Sequence, residues 1–537
     1  MSMYELPGAR FSRRAALARL ATLAASAALP GPAWALVDAD PLDGTIAEYV
    51  AGLRSGRWSA AEVTSRALAR CRADGMAWRA IDALSVTAVA DARAADVRRR
   101  SRRLRGPLDG VPVFAKAIYD MNGLPTTASN AEWARLFPQP VRRDAMEVAR
   151  LRGAGAIVLG KTAADDFAYR GVGTSSHTGQ VRNPYDPTGT RTPGGSSAGS
   201  AVAVAAGMAF AALGTDDGGS NRIPAVCVGV VGMKPTFGLV PRTGVIPTWP
   251  YLDTHGPLAR SVADAALLLA AIAGADPSDP LAVGRAPDAA SLAFRDDSLK
   301  GVRLGLVEAH VPRDKMSAEA LAVWDRALAD LRSAGASVET FAPSVTLTDY
   351  RLAFADADKA RGDMAGNSRS PAATANALYR YFAGRTDGPV DAVRRGYAAY
   401  RSFYDVLPEK FEDCVPLLRQ PMESDPAGQS FARSRADVVS SLERSMRAAG
   451  IAAMVYPTMP FNAFGLKDGW PDIRTALGYG NWLGLPEVSV PAGLGADGLP
   501  ALSLSVAGLP GEDAHVLALA HAYERQSRRF VPPPRSS

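Results

Sequence analysis

The stretch RTPGGSSAGSAVAVAAGMAFAALGTDDGGSN, residues 191–221, carries two glycine and serine loops joined by an apolar segment. Gly194-Gly195 precede Ser196, and Gly218-Gly219 precede Ser220. Glycine tolerates backbone conformations that other residues resist, and it places no side chain in the way of an approaching oxygen. A serine behind such a pair sits where several backbone N–H groups can converge on one point, as an oxyanion hole requires. Taken alone, each loop also reads as a tight turn. Two such loops on one apolar segment weaken the fold unless they have a use.

Working outward, GVPVFAKA (110–117) and AIVLG (156–160) are short apolar runs of strand type, with the helical run EVARLRGAG (147–155) before the second. The alternation returns in VRLGLVE (302–308), the helix SAEALAVWDRALADLRSAG (317–335) and ASVETFA (336–342). This pattern predicts an α/β fold. Before it, residues 43–105 repeat apolar residues at helical spacing and predict a helical N-terminal layer. Residues 350–450 read as mostly helical and polar, with no strand-type run until AAMVYP (452–457). Lys116 stands inside an apolar strand, where it must reach solvent, find a partner or lose its charge, and a neutral lysine is a base.

These segments together resemble the amidase signature family of serine hydrolases. The resemblance lies in GVPVFAKAIYDMNGLPTTASN (110–130), GAIVLGKTAADDFAYRG (155–171), the quoted loops continued to Gly244, and DTHGPLARSVADAALLL (253–269). It resumes in GLPEVSVPAGLGADGLPALSLSVAG (484–508) and is weak over about 300–450. It implies one large domain over residues 36–537, a mixed β-sheet core covered by helices, with a divergent, mostly helical section at about 350–450. It also implies a Ser-Ser-Lys triad without a cofactor. Ser220 matches the nucleophile, Ser196 the bridging serine whose preceding peptide bond is cis in the family, and Lys116 the base. The N–H groups of Asp217, Gly218, Gly219 and Ser220 match the oxyanion hole. Ser197 matches a position near the bound carbonyl, Asp216 and Arg222 a supporting ion pair, and Ala168 and Tyr169 the acyl pocket. The implied substrate is a small-molecule amide, with carbamates and esters open to the same triad. A non-catalytic or partner subunit of an amidotransferase is the rival of another class.

Three positions depart from the family pattern. Asp217 and Asn221 stand where relatives carry uncharged and aliphatic residues, and Ala117 where an acidic residue is frequent. A carboxylate beside an oxyanion hole opposes negative charge there unless its side chain turns away. A second enzyme reading takes Ser197 as the nucleophile of GSSAG (195–199), with His521 as base. That elbow needs a strand directly before it, and RNPYDPTGTRTP is too rich in proline and glycine for one.

The formal net charge is +6, and Arg10, Arg13, Arg14 and Arg19 against Glu5 account for half of it. The remaining excess is small for a chain of 537 residues and gives no reason to expect a nucleic-acid partner. The basic run VRRRSRRLRG (97–106) is read as a solvated helix end. Arg13-Arg14, the alanine and leucine stretch after them, and the small-x-small site Ala33-Trp34-Ala35 resemble a twin-arginine export signal over residues 1–35. The expected location is therefore periplasmic or secreted, with no stable membrane insertion of the mature chain. The three cysteines, Cys71, Cys227 and Cys414, have no metal-ligand spacing, and no HExxH pair occurs, so no metal site is expected.

Overall fold

Short runs that are apolar on both faces can be buried only in the middle of a sheet covered on both sides. The computed structural model describes residues 40–287, 289–292, 294–348, 351–354 and 368–534, and the export segment expected at 1–35 lies outside them. Eleven strands form one mixed sheet. From edge to edge they are Ile81–Leu84, Ile157–Thr162, Pro112–Lys116, Ala211–Asp216, Thr254–Ala259, Val231–Lys234, Glu487–Pro491, Ser503–Ala507, Ala453–Pro457, Arg303–Leu306 and Ser337–Thr340. Pro112–Lys116 runs parallel to both of its neighbours, so the ends of the first two strands that carry site residues, Lys116 and Asp216, point the same way. The next pairing, Ala211–Asp216 with Thr254–Ala259, is antiparallel and sets Asp216 opposite Thr254.

The helical N-terminal layer consists of Ile46–Ser55, Ala60–Arg70 and Ala88–Arg100. Thr45 and Glu48 close a capping box on the first helix. Asp96 of the third accepts from Ala60 N at 2.7 Å and Ala61 N at 3.1 Å, so one helix satisfies the free N–H groups of another. The basic run 97–106 is not wholly solvated as expected: Arg98 reaches to 2.6 Å from the fully buried carboxylate of Asp109. A buried carboxylate needs a partner, and the adjacent helix end supplies it.

The divergent section contains the helices Pro371–Ala383, Pro389–Arg401, Phe411–Leu418 and Pro426–Ala449. It opens with a strand that the sequence reading missed: Arg351–Phe354 pairs antiparallel with Val345–Thr348 in a separate ribbon. Arg-Leu-Ala-Phe shows no polar–apolar alternation, and four residues are too few to stand out as an apolar run. Aromatic contacts fasten the section to the core. Phe382 lies 5.8 Å from Trp133, and Tyr400 meets Phe167 edge-on at 5.6 Å. Among the described residues no helix is long and apolar enough to cross a membrane.

Candidate active site

Lys116 ends its strand fully buried. Its Nζ lies 2.8 Å from Ser196 Oγ and 2.8 Å from Thr215 Oγ1, so its bonded partners are hydroxyls and not carboxylates. Burial lowers its pKa to about 8, against the pull of the carboxylates of Asp217, Asp165, Asp253 and Asp216. A neutral amine is therefore accessible near neutral pH.

Ser196 follows a cis peptide bond from Gly195 and is buried. Its carbonyl accepts from Asp165 N at 3.2 Å, and Ser197 N donates to Ser220 O at 3.1 Å. These two bonds hold the loop before helix Ala198–Ala205 against both the 165–169 segment and the second glycine loop. That second loop joins strand Ala211–Asp216 to helix Arg222–Cys227. Gly219 has φ 121°, a conformation that favours glycine, and a Cβ there would lie 2.9 Å from Ile223 Cδ1. A Cβ on Gly218 would meet nothing within 4 Å, so this face of the loop is open. Ser220 is 8% exposed.

The N–H groups of Asp217, Gly218 and Ser220 have no acceptor among the described residues. Gly219 differs: its N–H donates to Asp216 Oδ1 at 2.6 Å and leaves the expected oxyanion set. Asp216 can take that bond because Arg222 fixes its carboxylate, with Nε 3.0 Å from Oδ2 and Nη2 3.0 Å from Oδ1. Arg222, itself fully buried, also binds Glu487 Oε2 at 2.7 Å, Leu477 O at 2.7 Å and Asn481 Oδ1 at 2.7 Å. Asn481 Nδ2 returns to Asp216 O at 2.7 Å. Burial works against the Asp216 anion, but Arg222 outweighs it and holds the carboxyl at about 2.

Ser197, expected near a bound carbonyl and considered as a rival nucleophile, is turned inward. Its hydroxyl is fully buried, accepts from Thr215 N at 3.2 Å and faces Asn221 Oδ1 at 3.1 Å. Asn221 is committed to the core as well, through Nδ2 to Met233 O at 3.0 Å. Among the described residues no strand runs directly before Ser197, and His521 packs on helix Asp513–Ser527 beside Asp296 and Phe294. Cys227 is buried, and burial pushes its thiol up, away from reactive thiolate.

Asp217 turns its carboxyl to Thr248, whose Oγ1 lies 2.6 Å from Oδ1. Ala168 and Tyr169 follow Asp165, and the Tyr169 ring, 43% exposed, meets Phe403 at 5.9 Å and Tyr404 at 5.7 Å. Trp249 meets Tyr404 at 5.2 Å. An aromatic wall thus stands beside the 165–169 segment. Phe403 and Tyr404 come from the divergent section, where the sequence offered no template; Thr215 and Glu487 lay inside segments that carried the resemblance. Among the described residues no cluster of three or more metal-ligating side chains occurs.

A mixed sheet under helices, with a buried lysine at one strand end, a glycine and serine loop at the end of the neighbouring strand and a second such loop packed against it, defines an amidase-type α/β enzyme. The chain belongs to the Amidase family, whose model matches residues 62–517. It is 36% identical over 510 residues to a glutamyl-tRNA(Gln) amidotransferase subunit from Anaeromyxobacter sp. (strain K), covering 91% of this chain and 97% of that protein. The corresponding subunit from Symbiobacterium thermophilum is 34% identical over 499 residues, covering 88% of this chain and 95% of that one. Among solved structures, the peptide amidase of Stenotrophomonas maltophilia superposes with a TM-score of 0.75 at 32% identity, covering 92% of this chain and 98% of its own. The same amidotransferase subunit from Thermotoga maritima gives a TM-score of 0.65 at 25% identity, covering 93% of this chain and all of its own.

Proposed function

We propose that this enzyme hydrolyses a linear carboxylic amide through an acyl-enzyme on Ser220. The observation that carries the reading is Lys116, buried, bonded to no carboxylate and 2.8 Å from the Ser196 hydroxyl. Lys116 accepts the Ser196 proton while Ser196 accepts that of Ser220, and Ser220 Oγ forms a bond to the amide carbon. The N–H groups of Asp217, Gly218 and Ser220 receive the developing oxyanion. As the C–N bond breaks, the proton returns through Ser196 to the leaving amine. Water then attacks the acyl group by the same relay and frees Ser220. The same steps serve an ester or a carbamate.

The aromatic wall favours an acyl group with an apolar or aryl part, and the peptide amidase among the relatives supports a peptide amide as one member of that class. The amidotransferase subunits among the relatives support a second reading, a chain that works with protein partners. Turnover of simple aryl and peptide amides by the purified chain alone distinguishes the two: an independent amidase hydrolyses them without partners, whereas a chain inert towards amides, esters and carbamates alike overturns the first reading. Export through residues 1–35 is a proposal of its own, tested by N-terminal sequencing of the native protein, with a start near Leu36 expected and an intact Met1 excluding it.

A further inference from the structure

The segment that follows strand Ala453–Pro457 is tied to both glycine and serine loops. Leu466 N donates to Thr190 O at 2.8 Å and Thr192 N to Phe464 O at 3.0 Å, directly before Gly194-Gly195. At the other end Leu477 O accepts from Arg222 Nη2 at 2.7 Å, in the helix that follows Ser220. Between these anchors stands Trp470, whose ring lies 5.1 Å from Phe464 and 6.0 Å from Phe461 and is still 38% exposed. Covering the open part of an indole is favourable, so a ring held there has apolar surface to offer a ligand.

The missing side chain at Gly171 makes room for this ring: a Cβ there would lie 2.9 Å from Trp470 Cζ2 and 3.4 Å from Ile223 Cδ1. Ile223 also packs on the nucleophile loop, since a Cβ on Gly219 would come within 2.9 Å of its Cδ1 and 3.0 Å of Leu477 Cδ2. Trp470, Ile223 and Leu477 therefore carry an apolar surface up to Gly219. The wall of Phe403, Tyr404 and Trp249 reaches the same loop at Asp217, because Trp249 follows Thr248, whose hydroxyl lies 2.6 Å from Asp217 Oδ1. Residues 169–171 part the two surfaces: Tyr169 meets Phe403 and Tyr404, and Gly171 meets Trp470.

An amide carbon bonded to Ser220 carries two substituents that point apart, the acyl chain and the amine. With the acyl part against Phe403 and Tyr404, the amine is left to face the surface beside Gly219. We propose that Trp470 is a specificity-determining residue that holds an aryl or other apolar substituent on the leaving amine, so that among amides of one acid the anilide is favoured over the primary amide. This rests on the acyl-enzyme reading above. The bond broken is the same C–N bond, and the proton returned through Ser196 leaves on the arylamine in place of ammonia.

The test offers one short aliphatic and one aryl acid, each as its primary amide and as its anilide, to the native enzyme, Trp470→Ala and Gly171→Ala. Gly171 has no left-handed backbone conformation, so alanine there acts by driving the partly exposed indole from its place. The native KM should be lower for the anilide of each acid. Both variants should cut the kcat/KM preference for the anilide by about tenfold, the scale of one aromatic contact, through KM and alike for both acids. A native KM no lower for the anilides, a preference that survives in the folded variants, or a change that follows the acid instead of the amine overturns the proposal. If Trp470→Ala fails to fold, Gly171→Ala decides it. Calorimetry on Ser220→Ala, with and without Trp470→Ala, needs no turnover and so decides this proposal even where the acyl-enzyme reading fails. Loss of the indole should weaken anilide binding by about tenfold and primary-amide binding by less, and equal weakening of both overturns it.

Discussion

Lys116 Nζ lies 2.8 Å from Ser196 Oγ, with both side chains fully buried and the lysine bonded to hydroxyls on two sides. A charged ammonium there would meet no bonded carboxylate to offset its lost hydration, whereas a neutral amine can accept the serine proton. The proposed chemistry turns on this contact.

Amide turnover should rise with pH through one ionisation near 8, the value to which burial lowers Lys116. Lys116→Ala should lose both the activity and that ionisation. Lys116→Arg should not restore them, because guanidinium stays protonated in proteins. A pH profile of Lys116→Arg with near-native turnover would show the lysine to be only a structural cation.

The same burial predicts a stability effect of defined sign. Between about 8 and the free-lysine value of about 10.4, the unfolded chain holds a proton that the folded chain has released. Stability of the native protein should therefore rise with pH in that window, by up to about 1.4 kcal/mol per unit, relative to Lys116→Met. Paired denaturant titrations across the window check it, and parallel curves would count against a depressed lysine.

Asp216→Ala should destabilise the fold by roughly 3–5 kcal/mol, since it leaves the buried Arg222 guanidinium without its bidentate partner. Because the Asp216 pKa is depressed to about 2, its contribution is present above the ordinary carboxylate range and is lost as pH falls through that value. Urea midpoints of the two proteins at neutral pH measure the first effect. A change below about 1 kcal/mol would mean that the network relaxes without it.

Phe403→Ala should raise KM for aryl and peptide amides by roughly tenfold, the scale of removing one buried aromatic contact, with a smaller effect on a short aliphatic amide. The ring borders Tyr169 at 5.9 Å and is far in sequence from the relay. Equal effects on both substrates would place the acyl group elsewhere.

The sequence made the central strands legible as short apolar runs bounded by glycine, and it singled out Lys116, Ser196 and Ser220 because a buried lysine and serines behind glycine pairs combine local backbone demands with chemistry. It did not reveal that Asp216 takes the Gly219 N–H or that Asn221 turns Ser197 inward, since the first depends on the loop's backbone conformation and the second on how two separate loops pack. The Arg222 partners Glu487 and Asn481 lie more than 250 residues away in the chain. No local pattern joins residues at such separation. The Arg351–Phe354 strand was missed because its four residues neither alternate nor form an apolar run long enough to carry a signal, and the aromatic wall of Phe403 and Tyr404 because nothing local shows what the segment after a helix end will pack against.

The central claim is that Ser220 becomes acylated. The most direct test is to incubate the purified chain with an activated aryl ester or a slow anilide, quench in acid, and map the acyl group by peptide mass spectrometry. The account predicts the acyl mass on the peptide containing Ser220, abolished by Ser220→Ala and retained in Ser197→Ala. An acyl group on Ser197, or steady amide turnover that persists in Ser220→Ala, would contradict it.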